Sequence, residues 1–134
     1  VMYNFDLGRQ QDGEAVKFYR REAEHGNVGA QYHLGLMYAK GRGVPQDYIE
    51  AAKWCRKAAE QGHAEAQHDL GEMYFDGEGV QQDFVQAHMW LDLAAEQGDR
   101  KSEHLRDEVA REMTASQIAE AQRLAGERKG KSGD

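Results

Sequence analysis

Residues 28–62 read VGAQYHLGLMYAKGRGVPQDYIEAAKWCRKAAEQG, and residues 64–98 read AEAQHDLGEMYFDGEGVQQDFVQAHMWLDLAAEQG. Laid over one another with a shift of 36, they share 18 identities in 35 positions, among them Leu34 with Leu70, Gly35 with Gly71, Tyr38 with Tyr74 and Trp54 with Trp90. A fixed period of this length marks a tandem array of supersecondary units that bury their apolar faces against their neighbours.

Within each unit, Ala30, Leu34, Met37 and Tyr38 fall at i, i+4, i+7 and i+8, as do Ala66, Leu70, Met73 and Tyr74, which is one face of a helix. This first helix, helix A, ends at Gly41-Arg42-Gly43-Val44 or Gly77-Glu78-Gly79-Val80, where glycine tolerates the positive φ of a reversal. Asp47 stands three residues before Glu50 and Asp83 three before Gln86, which predicts a capping box opening a second helix, helix B. Helix B carries Ala51, Trp54, Ala58 and Ala59, repeated as Ala87, Trp90, Ala94 and Ala95, and ends at Gly62 or Gly98. A mid-helix glycine costs roughly 1 kcal/mol against alanine. Its recurrence at 35 and 71 predicts close approach of the paired helix backbone.

These residues resemble the Sel-one-like repeats, a branch of the tetratricopeptide-like solenoids. The pattern runs from Ala30 through Leu34-Gly35, Tyr38, Gly41, Gly43-Val44, Asp47, Ala51, Trp54 and Ala58-Ala59 to Gly62, and recurs from Ala66 to Gly98. The resemblance implies an all-α, right-handed α/α superhelical solenoid of antiparallel helix pairs. It also implies a concave face that binds proteins or peptides, commonly in bacterial envelope, signalling or assembly roles, and it carries no catalytic residue or cofactor. Some cysteine-rich relatives have disulfides in each repeat and are credited with binding β-lactams. This chain has one cysteine, Cys55, so neither property carries over.

The ends depart from the period. Residues 15–26 match 51–62 at six of twelve positions, and Met2-Tyr3 and Gln11-Asp12 resemble Met37-Tyr38 and Gln46-Asp47 with the shift reduced to 35. The expectation is a solenoid domain over 1–126, comprising a truncated repeat at 1–27, repeats at 28–62 and 63–98, and capping helices over 99–126. A flexible tail would fill 127–134. The truncated unit would begin inside a helix A, as a piece cut from a longer array or a degraded first repeat. Its exposed edge, including Phe18 and Tyr19, would be covered by Val1–Leu7 folding back or by a second copy in a homodimer. Thr114 and Gln117 form another capping-box pattern.

Composition narrows the function classes. A net charge of −7 argues against nucleic acid or an anionic membrane surface as partner. No apolar stretch reaches the length of a membrane span, so membrane insertion is not expected; the compartment, periplasm or cytoplasm, stays open. The six histidines lack the i, i+4 spacing of paired metal ligands: His25 and His63 flank glycines at helix ends, and His68 lies five residues from His63. Cys55 takes a position held by Tyr19 and Leu91 in the neighbouring units and reads as packed. The reading is a non-enzymatic scaffold or adaptor, with a weak hydrolase-like or metal-binding activity as the alternative.

The expected binding groove comes from positions at which the two units disagree. Tyr32 stands opposite His68, His33 opposite Asp69, Leu36 opposite Glu72, Ala39 opposite Phe75 and Lys40 opposite Asp76. They form one stripe on the side of helix A away from its shared residues, and His104 continues the row of Tyr32 and His68. Such a stripe either lines a concave groove for an extended or helical peptide or drifts because nothing restrains it.

Overall fold

The computed structural model describes residues 3–132 and contains, among them, seven helices and no strand: α1 (Tyr3–Glu24), α2 (Val28–Lys40), α3 (Tyr48–Glu60), α4 (Ala64–Asp76), α5 (Phe84–Glu96), α6 (Arg100–Ala110) and α7 (Ala115–Ser132). Each of α1 to α5 packs on the helix that follows it and α7 returns to α5, so the chain is a solenoid in which α2–α3 and α4–α5 are the complete pairs.

The caps that start and stop these helices follow from the repeated residues. Asp47 Oδ1 accepts from the backbone N–H of Ile49 and Glu50, and Asp83 Oδ1 from that of Gln86. The reciprocal half of the expected capping box is absent here. The N–H groups of Asp47 and Asp83 instead donate to the carbonyls of Tyr38 and Tyr74 at 2.9 and 3.0 Å, which ties the start of helix B to the end of helix A. Gln46 and Gln82 complete that turn by donating to the carbonyls of Ala39 and Phe75. Thr114 and Gln117 do form a full capping box, each side chain bonding the other's backbone N–H.

Gly35 and Gly71 sit where the pairs touch. A Cβ on Gly35 would stand 3.3 Å from the Ala51 carbonyl oxygen, and one on Gly71 would stand 2.7 Å from Leu91 Cγ, as the sequence predicts for close approach. Two devices recur at the joints between pairs. Arg20 and Arg56 each donate to the hydroxyl of the tyrosine 18 residues on, Tyr38 and Tyr74, with the guanidinium over the ring. Buried Gln31 donates to the Ala23 carbonyl and accepts from Gln61, while buried Gln67 donates to the Ala59 carbonyl and accepts from Gln97. A buried amide is tolerated only when its hydrogen-bonding groups are satisfied, and here each one links three helices.

Both ends correct the sequence reading. The chain does not leave the helix at residues 6–12: α1 runs unbroken from Tyr3 to Glu24, so 3–7 continue it rather than folding back, while Val1 and Met2 lie outside the described residues. The reason is local. With the shift of 35, Gly8 keeps the place of Gly43, but Asp6 stands where the complete unit has Gly41, the left-handed residue that ends helix A, so the helix has no stop there. At the other end α7 reaches Ser132, through most of the segment expected as a flexible tail. Its main partner is α5, against which Ala125 is buried, with Arg128 4.4 Å from the centre of the Trp90 ring and Lys129 paired with Glu96.

Candidate binding groove

Two depressions lie on the outer side of α2 and share Leu36. The larger, about 260 Å³, lies between α1 and α2 and is lined by Tyr19, His33, Leu36, Met37 and Lys40, with the Asp12–Arg42 ion pair (3.3 Å) at its rim. The smaller, about 30 Å³ and mostly apolar, lies towards α4 and is lined by Tyr32, Gly35, Leu36, Ala39, Asp69 and Met73, with Cys55 and Ala51 of α3 among its walls. Helical spacing explains the sharing: residues 32, 36 and 39 face α4, 33, 36 and 40 face α1, and Leu36 belongs to both rows.

The walls are held by specific contacts. His33 stacks on Tyr19, ring centres 5.1 Å apart, and Tyr32 lies 4.6 Å from the His63 ring and donates its hydroxyl to Asp69 Oδ2 at 3.1 Å. Burial raises the Tyr32 hydroxyl pKa, and the Asp69 carboxylate adds to it, so Tyr32 stays a neutral donor. Burial likewise raises the carboxyl of Asp69 against the opposing effect of the Tyr32 bond, and that of Glu72 against the opposing effect of His68. The groove therefore has cationic Lys40 and the Asp12–Arg42 pair towards α1 and the Asp69 carboxyl towards α4.

A group whose pKa rises on folding contributes stability fully below its unfolded value, and that contribution is lost as pH rises through the folded value. Ionised Asp69 is thus a cost at neutral pH. Asp69→Asn, which keeps an acceptor for Tyr32, is expected to raise the thermal midpoint at pH 7 and to flatten its decline from acidic to neutral pH. A lower midpoint at pH 7 would show that the charged hydrogen bond outweighs the burial.

Of the stripe expected from the sequence, the structure brings Tyr32, His33, Leu36, Ala39, Lys40 and Asp69 to these depressions. It sends two others to joints between helices. Phe75 packs on Phe84, ring centres 5.7 Å apart, within the cluster of Ala87, Leu91 and Val109. His68 Nδ1 lies 2.9 Å from Ser102 Oγ, whose own proton goes to Asp99, so this nitrogen carries the hydrogen and joins α4 to α6. Glu72, Asp76 and His104 are exposed and line neither depression. Sequence reasoning missed Tyr19, Met37, Met73, Asp12 and Arg42. Met37 and Met73 agree between units and read as core, and the contact between residues 12 and 42 exists only once α1 is straight.

Reactive groups nearby are enclosed. Cys55 is buried, donates to the Ala66 carbonyl and has its thiol pushed up to about 12, chiefly by burial. His63 caps α4, its Nδ1 accepting from the Ala66 N–H. Among the described residues no three His, Cys, Asp or Glu side chains converge as a metal site, and no helix is long and apolar enough to cross a membrane.

The Sel1 repeat model matches residues 28–63 and 64–99, more than half of the chain. No curated protein matches the sequence. Among solved structures, a protective antigen of uropathogenic Escherichia coli displaying an SLR fold is 38% identical over 87% of this chain and 25% of its own, with a TM-score of 0.83. A Sel1 repeat protein from Oxalobacter formigenes is 42% identical over 67% of this chain and 37% of its own, with a TM-score of 0.66. The chain thus spans about a quarter of one relative and little more than a third of the other. Repeat period, helix pairing and glycine turns agree with these matches, and the chain belongs to the Sel1 repeat family.

Proposed function

We propose that the chain is a protein-interaction scaffold that holds an extended or helical segment of another protein along the outer side of α2. The observation that carries this reading is the pair of depressions joined at Leu36. They take in Tyr32, His33, Leu36, Ala39 and Lys40, positions on which the two complete units disagree, beside Gly35, Met37 and Met73, on which they agree. In a solenoid the A helices form the concave wall, and successive units present adaptable side chains along it. Leu36 supplies an apolar contact, and the cationic and acidic ends fix the direction of the bound segment.

The reading is of a binding protein rather than an enzyme: the one thiol in the wall of the groove, Cys55, is buried and donates to a backbone carbonyl. Partners are polypeptides; the chain's acidic balance disfavours nucleic acid.

The test uses peptides selected from a displayed library for binding to this chain. Leu36→Ser and Lys40→Glu are expected to weaken the selected peptides at least about tenfold, as loss of a central contact does. Leu36 is half-buried, so its truncation should cost only about 1 kcal/mol of stability. Peptides that bind both variants as tightly as the parent would place the interaction on another face. Tyr32 and Phe75 are unsuited to this experiment, because both pack in the core clusters and their loss would be read as unfolding.

A further inference from the structure

Among the residues whose burial is described, the most exposed large aromatic is Phe18, on α1, with 56% of its surface open. It stands one repeat before Trp54 and two before Trp90. Trp90, 1% exposed, is covered by α7, and Trp54 is half-buried against α2 and its neighbours. Phe18 thus occupies a position that the rest of the solenoid covers. Helix α1 packs chiefly on α2 and on the turn at Gly43, and the face that carries Phe18 is exposed among the described residues.

That face has a regular pattern. Gln11, Glu14, Phe18, Arg21 and His25 are all exposed and follow one another at spacings of three, four, three and four, the seam spacing of two helices packed side by side. Read from Phe18 in either direction, the seam is self-complementary: an acid lies on one side, a base on the other, and a polar residue stands at each end. When a second α1 is laid antiparallel about a two-fold axis through Phe18, Phe18 meets its own copy. Glu14 then lies beside Arg21 of the other copy, and Gln11 beside His25. The Glu14–Arg21 ion pair and the Gln11–His25 contact each form twice by symmetry, as an isologous interface requires, and a parallel pairing would set like charges together.

We propose that two copies of this chain pair antiparallel through α1, on a two-fold axis at Phe18. A single helix pair is at the small end of specific interfaces, so the dimer is reversible and depends on concentration. It leaves the groove beside α2 open, since the larger depression is lined by Asp12, Ala15 and Tyr19 on another side of α1.

Sedimentation equilibrium of the 134-residue chain tests this. The chain is expected to show a monomer–dimer equilibrium that Phe18→Ser shifts at least about tenfold towards monomer, with helix content unchanged and with the thermal midpoint unchanged at dilutions where both proteins are monomeric. Glu14→Arg and Arg21→Glu should each weaken pairing, and the two together should restore it. With oxidised glutathione added as the two-electron oxidant, Phe18→Cys should form a disulfide-linked dimer, because the two thiols meet on the axis. A monomer at every concentration overturns the proposal. So does a dimer indifferent to Phe18→Ser, which would show that copies pair elsewhere, and failure of the double reversal would refute the register.

Discussion

Gly79→Ala is expected to destabilise the protein by about 3 kcal/mol, well beyond the cost of the same change two residues earlier at Gly77. Both glycines hold positive φ, +74° and +71°, so both substitutions carry the strain of a left-handed alanine, about 1–2 kcal/mol. Their surroundings differ. A Cβ on Gly77 would meet the Gln82 side chain at 3.2 Å, which can shift. One on Gly79 would press into the backbone of Tyr48, 2.7 Å from its carbonyl carbon, at the first turn of the preceding unit's helix B. That backbone is fixed by the Asp47 cap, so relief requires the two units to separate, adding about 1–3 kcal/mol as overpacking does. Solenoid stability is a sum of unit and neighbour-interface terms. Urea unfolding should therefore show a lower midpoint and a shallower slope for Gly79→Ala, as the units uncouple, and a parallel shift of about 1 kcal/mol for Gly77→Ala. Equal losses would show that φ alone decides and that the contact at Tyr48 gives way freely.

The same pair of glycines shows what could be read in advance and what could not. The sequence reveals Gly-x-Gly at each A to B turn, and positive φ is a local property that follows from it. That the second glycine also lets one unit approach the next depends on a residue 31 positions earlier, Tyr48, which no local pattern connects to it. Helices and their caps were legible because period and capping are local, and the glycines at 35 and 71 because a mid-helix glycine has a cost that must be met. The straight course of α1 was not legible, because Gly8 and residues 11–12 keep the second glycine and the Gln-Asp pair of the turn while only the first glycine, the one that ends helix A, is gone. In the groove, disagreement between units located the stripe on helix A but could not separate residues facing a depression from those bridging helices. Phe75 and Ala39 share a register position, yet Phe75 reaches Phe84 while the shorter Ala39 lines the small cavity.

The two tryptophans, equivalent in sequence, should respond very differently to truncation. Trp90→Ala is expected to cost about 4 kcal/mol, within the range for a buried aromatic reduced to a methyl group. The ring is enclosed by α7 on one side and by the cluster of Ala59, Leu70 and Leu93 on the other, so the cavity cannot collapse without moving a helix. Trp54 is only partly buried, with Lys57 5.3 Å from its ring centre, and Trp54→Ala should cost roughly 2 kcal/mol. Because Trp90 is the main anchor of α7, its loss should also free that helix: amide exchange would accelerate along 118–128 in Trp90→Ala and stay protected in Trp54→Ala. If Trp90→Ala is too unstable to study, Trp90→Phe replaces it. The indole Nε1 has no acceptor, so this change removes volume without breaking a hydrogen bond, and it should produce a smaller loss with the same pattern of exchange. Equal costs at the two positions, or an α7 that remains protected without Trp90, would show that the helix is held by Lys129–Glu96 and its other polar contacts, and that the aromatic seal is incidental.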